Sequence, residues 1–247
     1  MKTITFVLLI SFSFSLSLSG QYPDGEDLLK KIDENLASES RIFTSKMIIH
    51  GRREDRTVES KTWSEGEDKA FTEYTNPPRE AGTKMLKLED ALWIYSPSTD
   101  RTIQIAGHML RQSVMGSDMS YEDMMEDNHL RNHYKATVIG EEEVDGRETW
   151  VLELTATDDD VAYQKRMQWV DKQRLLPLKE ELYAKSGKLL KKTVLSDIRK
   201  VEGRWFPFKI VFKDMLKTGD GTEFIIEEIE FDADIDEVRF TKASLRR

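Results

Sequence analysis

The spacing of apolar residues changes once near the start of the chain, and the change separates one helix from a long run of strands. Between residues 24 and 37, Leu28, Leu29, Ile32 and Leu36 recur at helical spacing on one stripe, with Lys30, Lys31, Asp33 and Glu34 elsewhere. Asp24 is placed to cap this helix, and Glu26 and Asp27 suit the positive end of its dipole. So short a helix needs a sheet to cover its stripe. From Arg41 the period becomes two, with Phe43, Ser45, Met47 and Ile49 on one face. Turns at residues 51–55 and 65–68 then separate strands at 57–63 and 69–75, and Asn76-Pro77-Pro78 breaks the ladder because proline has no N–H to donate.

The centre of the pattern is residues 74–123. Apolar strands at 91–95 and 101–105 flank a turn, Ser96-Pro97-Ser98-Thr99-Asp100, built from residues that favour turns. A loop follows with Met109, Leu110, Met115 and Met119, ending at Gly116-Ser117-Asp118. Ser120 with Asp123 predicts a capped short helix over 121–126. Further strands are expected at 134–139, around Trp150–Leu154, around Met167–Trp169, and at 175–184, 189–198 and 224–231. Asp145-Gly146 is a hairpin signal. Phe206, Phe208, Ile210 and Phe212 share one face, and Pro207 points to an edge or the start of a strand. The alternation slips at Glu227-Glu228, which predicts a bulge. One helix, roughly ten or eleven strands and one helical interruption make a mainly β chain, an antiparallel meander that curls into a barrel or half-barrel.

The first residues belong to a different kind of segment. Lys2, an apolar and serine-rich run over 4–18, and the small residues Ser19 and Gly20 have the form of a secretory signal, so residues 1–20 are expected to be removed and 21–247 to form one domain. The chain has no cysteine, which excludes disulfides, thiolate catalysis and a lipid-anchored cysteine at the signal junction. Net charge is −9 overall; Lys2 is the one charged residue in the first twenty, so the remainder carries −10. That balance argues against nucleic acid as a partner.

Candidate chemistry is sparse. His129 and His133 have the spacing of two ligands on a helix, but Arg131 lies between them and solvated loop histidines are expected. His108, Ser113, Ser117 and Asp118 cluster in sequence without a nucleophile elbow, so Ser117-Asp118 is expected to be a turn or cap. The acidic runs 141–143 and 158–160 match no calcium loop. Arg79 is expected to sit in a surface ion pair. No catalytic residue, metal or cofactor is expected.

Three segments, PPREAGTKML from Pro77, ALWIYSP from Ala91 with the following RTIQI, and QSVMGSDMSYEDM from Gln112, resemble the LolA-like outer-membrane lipoprotein-sorting family, in particular its exported spirochaete-type branch. The resemblance covers nearly all of the chain after residue 20. It implies a curved, incompletely closed antiparallel barrel whose N-terminal and mid-chain helices cover an apolar cavity. It also implies a non-enzymatic periplasmic carrier that binds acyl chains of lipoproteins or phospholipid and moves them toward the outer membrane, between an inner-membrane transporter and an outer-membrane acceptor. On that basis Trp63, Phe71, Met85, Trp93, Tyr95, Met109, Met115 and Met119, clustered in the central sheet and the Met-rich loop, are the expected cavity or lid residues. The competing expectation is a half-barrel that binds a protein or peptide as a sensor or assembly factor; a hydrolase is a third.

Overall fold

The computed structural model describes residues 22–247 except positions 52, 127, 128 and 160; the expected signal segment lies outside the described residues. Helix α1 (Gly25–Leu36) is followed by β1 (Ser40–Ile49), β2 (Arg56–Glu65), β3 (Lys69–Asn76), β4 (Lys84–Leu88), β5 (Ala91–Ser96) and β6 (Arg101–Ile105). Residues 107–120 then run as a loop with short 3-10 turns into α2 (Tyr121–Met125). Strands β7 (Tyr134–Val144), β8 (Arg147–Ala156), β9 (Lys165–Asp171), β10 (Pro177–Tyr183), β11 (Leu189–Val201), β12 (Arg204–Asp214) and β13 (Thr222–Phe231) follow, and two 3-10 turns, Glu237–Phe240 and Lys242–Arg246, end the chain.

All thirteen strands belong to one antiparallel sheet, in the order β6-β5-β4-β3-β2-β1-β13-β12-β11-β10-β9-β8-β7. Every neighbour is a hairpin partner except the pair β1 and β13, which joins two meanders. The sheet is not closed: β6 and β7 end it on either side. The count exceeds the rough expectation of ten or eleven; twelve strands have a counterpart among the expected segments, and short β4, between two turns, reads as a re-entry from sequence. The slip at Glu227 is a true bulge, since Thr44 faces Glu228 while Ser45 faces Ile226. Asp145 and Gly146 both take positive φ (49° and 74°), which makes the tight turn between β7 and β8.

Pro207 departs from expectation. It is the fourth residue of β12, an interior strand, opposite Ile198 of β11. It is tolerated because the ladder between β12 and β13 spans Lys209–Phe212 and Thr222–Ile225 and does not reach Pro207, so no donor is missed there.

The two faces of the sheet are covered differently. On the inner face α1 lays Leu28, Leu29 and Ile32 against Tyr134, Ala136, Val138, Leu152, Leu154 and Val170. Asp24 caps α1 by accepting from the Asp27 N–H at 3.0 Å, and Glu26 Oε1 accepts the Ala136 N–H at 2.9 Å. This approach is so close that a Cβ at Gly25 would lie 2.4 Å from the Ala136 carbonyl oxygen. Farther along the same face, residues 109–125 supply Met109, Leu110, Met115, Met119, Tyr121 and Met124 to a core with Met47, Val58, Tyr74, Met85, Leu92 and Ile105. On the outer face the C-terminal turns bury Phe240 and Leu245 against Phe71 and Leu86.

That outer core sets a first expected outcome. Leu245 is fully buried, so Leu245→Ala should cost about 2–4 kcal/mol through lost contacts and a cavity, measured by urea unfolding of the protein.

Candidate functional site

Two cavities lie on the inner face, side by side. The larger, about 320 Å³, is bounded by Ile32 and Leu36 of α1, by Leu130, and by Leu182, Leu195, Phe206, Ile210 and Phe212 of β10–β12. The smaller, about 190 Å³, sits under the Met-rich loop among Phe43, Met47, Val58, Tyr74, Val114, Met124 and Phe224. Met119 lines both, so one flexible side chain partitions them.

The wall of the larger cavity is apolar except for Asp33, Arg41 and one belt of polar side chains. Register explains it: Gln168 of β9 faces Leu152 on one side and Glu180 on the other, and Arg166 faces Leu154 and Leu182. The next strand places Thr193 opposite Glu180 and Lys191 opposite Leu182. Arg166, Gln168, Glu180 and Lys191 therefore all point inward, and Arg166 and Gln168 are each 3% exposed. The Arg166 guanidinium contacts Glu126, lies 3.3 Å from Glu180 Oε1, and packs beside the rings of Tyr134 (4.9 Å) and Tyr163 (5.5 Å). Gln168 Nε2 donates to Glu180 Oε1 at 3.0 Å.

The loop and α2 are fastened over this face by polar groups. Asp118 accepts from the Asp214 N–H and from the Thr222 hydroxyl, both at 2.9 Å, which ties the loop to the ends of β12 and β13. Arg56 donates to the Met115 carbonyl. Ser120 and Asp123 form a capping box on α2, and the same Asp123 carboxylate pairs with Lys191 and accepts from the Tyr163 hydroxyl. Burial alone would raise the Asp123 carboxyl, but the Lys191 ammonium and the bonds from Lys191, Ser120 and Tyr163 hold it below its ordinary value. Burial, then Asp123, pushes the Tyr163 phenol far up, so it stays a donor. Ser117 and Asp118 are thus a turn and a fastening. His133 approaches Asp158 at 3.5 Å in the loop region. Among the described residues no cluster of His, Cys, Asp or Glu has the makings of a metal site, and no helix is long and apolar enough to cross a membrane.

The eight expected cavity or lid residues fall into three groups. Met119 lines both cavities. Met85, Met109 and Met115 belong to the packed core beneath the Met-rich loop, beside the smaller cavity. Trp63, Phe71, Trp93 and Tyr95 are on the outer face, against the C-terminal turns, with Arg239 4.1 Å from the Trp63 ring and Lys242 4.0 Å from the Trp93 ring. These four are not among the residues that line either cavity. Trp63 faces Phe71, Phe71 faces Leu86 and Leu86 faces Trp93, one cross-strand row whose parity is opposite to that of Thr62, Thr72, Met85 and Ile94. Two signals in the sequence pointed to the residues that do line the larger cavity. One is the run Phe206-x-Phe208-x-Ile210-x-Phe212, three of whose members face it. The other is Val170, which shares parity with Arg166 and Gln168; Met167 and Trp169, the more apolar pair on β9, face outward, where Lys179 lies 3.7 Å from the Trp169 ring.

Known structures share this fold. A domain from Vibrio parahaemolyticus, provisionally assigned as an outer membrane lipoprotein-sorting protein, is 26% identical with a TM-score of 0.79, over 90% of this chain and 98% of that one. A DUF1329 family protein from Desulfovibrio piger is 27% identical with a TM-score of 0.82, over 90% and 97%. A LolA superfamily protein from Nitrosomonas europaea, 24% identical with a TM-score of 0.75 over 90% and 100%, has the same fold. The chain belongs to the family whose model, described as "Uncharacterized protein", matches residues 66–247, and its fold is LolA-like. No curated protein sequence matches the chain. The LolA-like fold suggests a carrier or binding role.

The Asp123 fastening generates a pH-dependent outcome. Its carboxyl titrates lower in the folded chain than unfolded, so its stabilisation is complete above the ordinary value of 3.8 and is lost as pH falls through the folded value. Asp123→Asn should lower unfolding free energy by about 1–3 kcal/mol at neutral pH. The gap between variant and wild type should shrink when both are unfolded in urea below the ordinary carboxylate range.

Proposed function

We propose that this protein is a periplasmic carrier that takes acyl chains of lipoproteins or phospholipid into its inner-face cavities and moves them toward the outer membrane. The observation that carries the reading is the pair of adjacent apolar cavities with Met119 as their shared wall. Each methylene moved from water into such a cavity contributes about 0.8 kcal/mol. The cavities differ in size and meet at a thioether, so chains of different length can be taken up by repacking Met119 and Met124. A carrier must also release its load, and the covering loop is held by polar fastenings that can open without unfolding the sheet. The reading includes export by the N-terminal segment, one domain over 21–247, and no catalytic step. Its donor is an inner-membrane transporter and its acceptor an outer-membrane protein.

The test is uptake of a fluorescent acyl probe by the protein purified without its leader, followed by lipid extraction and mass spectrometry of what co-purifies. Saturable uptake is expected. Leu195→Asp, which sets a carboxylate on the wall of the larger cavity, should weaken it about tenfold or more. Uptake that is absent in the wild type, or unchanged in a folded Leu195→Asp variant, would overturn the reading and favour a half-barrel that binds protein.

A further inference from the structure

The outer face of β2–β5 carries cations that no carboxylate meets. Trp63, Phe71, Leu86 and Trp93 form one cross-strand row there, about 14 Å long at ordinary strand spacing. The C-terminal turns lie on this row and bring Arg239 to 4.1 Å from the Trp63 ring and Lys242 to 4.0 Å from the Trp93 ring. Lys61 lies 5.2 Å from the Trp63 ring, and Arg246 is close enough to Tyr95 to act on it electrostatically. Among the described residues none of these four cations forms an ion pair. The nearby carboxylates are committed elsewhere. Glu65 and Glu237 hold Lys69, Glu73, opposite Lys61 in the ladder, reaches Lys84 at 3.9 Å, and Asp236 accepts from the Val238 N–H.

Residues 238–247, VRFTKASLRR, hold four cations and no acidic side chain, in a chain whose net charge is −9. Phe240 and Leu245 anchor this segment in the outer core, while Lys242, Arg246 and Arg247 are exposed and Val238 is 46% exposed. The cations are spread along the row from Trp63 to Trp93, so a lone anion meets one or two of them and a layer of anions meets all. Lysine and arginine interleaved with Trp and Tyr suit the headgroup depth of a bilayer, where rings meet the apolar boundary and cations meet phosphate. The acidic remainder of the chain is repelled by an anionic surface, which turns this face toward it.

We propose that this face docks the protein on an anionic phospholipid bilayer, with Arg239, Lys242 and Arg246 on headgroup phosphates and Val238 at their depth. The two cavities lie on the opposite face of the sheet, so docking does not cover them and needs no cargo.

The experiment is flotation of the protein without its leader on vesicles of phosphatidylglycerol mixed with phosphatidylcholine, against vesicles of phosphatidylcholine alone. Binding to the anionic vesicles is expected, about tenfold or more stronger than to the neutral ones and lost at high salt. Lys242→Glu combined with Arg246→Glu should weaken it about tenfold or more, since each cation at such a surface contributes about fivefold. Lys135→Glu combined with Lys188→Glu changes net charge equally at positions elsewhere on the sheet, and should leave binding within about threefold. All four positions are exposed, so both variants should fold, with urea midpoints that match the wild type. Failure of the wild type to float with anionic vesicles overturns the docking, as does equal flotation on neutral ones, or equal loss in both double variants, which reports net charge alone. Retention on immobilised polyglutamate without flotation overturns the bilayer in favour of an acidic protein partner. Acyl-probe uptake by the Lys242→Glu, Arg246→Glu variant is expected to match the wild type, so loss of docking and failure of the carrier reading are read separately.

Discussion

One ladder joins the two halves of this molecule. β1 and β13 pair from Arg41 with Phe231 to Ile49 with Thr222, and every other strand neighbour is a local hairpin. Without that ladder the chain would be two meanders, β1–β6 and β7–β13, each with an apolar face and nothing to enclose. With it the sheet is continuous, and its far edges β6 and β7 stay apart. The chain between them cannot continue as a hairpin; it crosses the inner face as the Met-rich loop and α2. The opening of the barrel and the cover of the cavity thus have the same origin. Loop-closure entropy across nearly the whole domain must be met before this ladder stabilises anything, so it is expected to form late in folding.

Enclosure creates an electrostatic problem. Arg166 is buried beside apolar side chains, where an unpaired charge would cost several kcal/mol. Two carboxylates and two aromatic rings meet it. One of those carboxylates, Glu126, comes from just beyond α2, so closing the cover and neutralising the arginine are one event. Asp123 and Lys191 repeat the arrangement two strands away. The cover is held by directional polar contacts above a soft methionine layer, a combination that fixes where it sits while leaving the lining adjustable.

Much was legible along the chain because it depends on local rules. The α1 stripe with its Asp24 cap, the Ser120–Asp123 capping box, the Asp145-Gly146 turn and the Glu227 bulge each follow from a few neighbouring residues and from backbone chemistry that needs no distant partner. The family, too, was recognisable from short segments. Apolar alternation separated strand from helix throughout, and missed only a strand as short as β4.

What the tertiary structure alone decided is which face is inside. A strand has two faces, and apolar residues on either can be buried when something covers it. Trp63, Phe71 and Trp93 look like cavity residues by size and clustering, yet the C-terminal turns cover their face and make it a second core. Arg166 and Gln168 look like the solvent side of β9, yet α1 and α2 enclose them. The sequence by itself determined the period, the turns, the absence of cysteine chemistry and the family. The lining of the cavity, its polar belt and Met119 as its partition came only from the packing of the two termini and the mid-chain loop on opposite faces of one sheet. The physical reason is that alternation specifies two sets of side chains, and only long-range packing specifies which set meets water, which meets protein and which meets an open cavity.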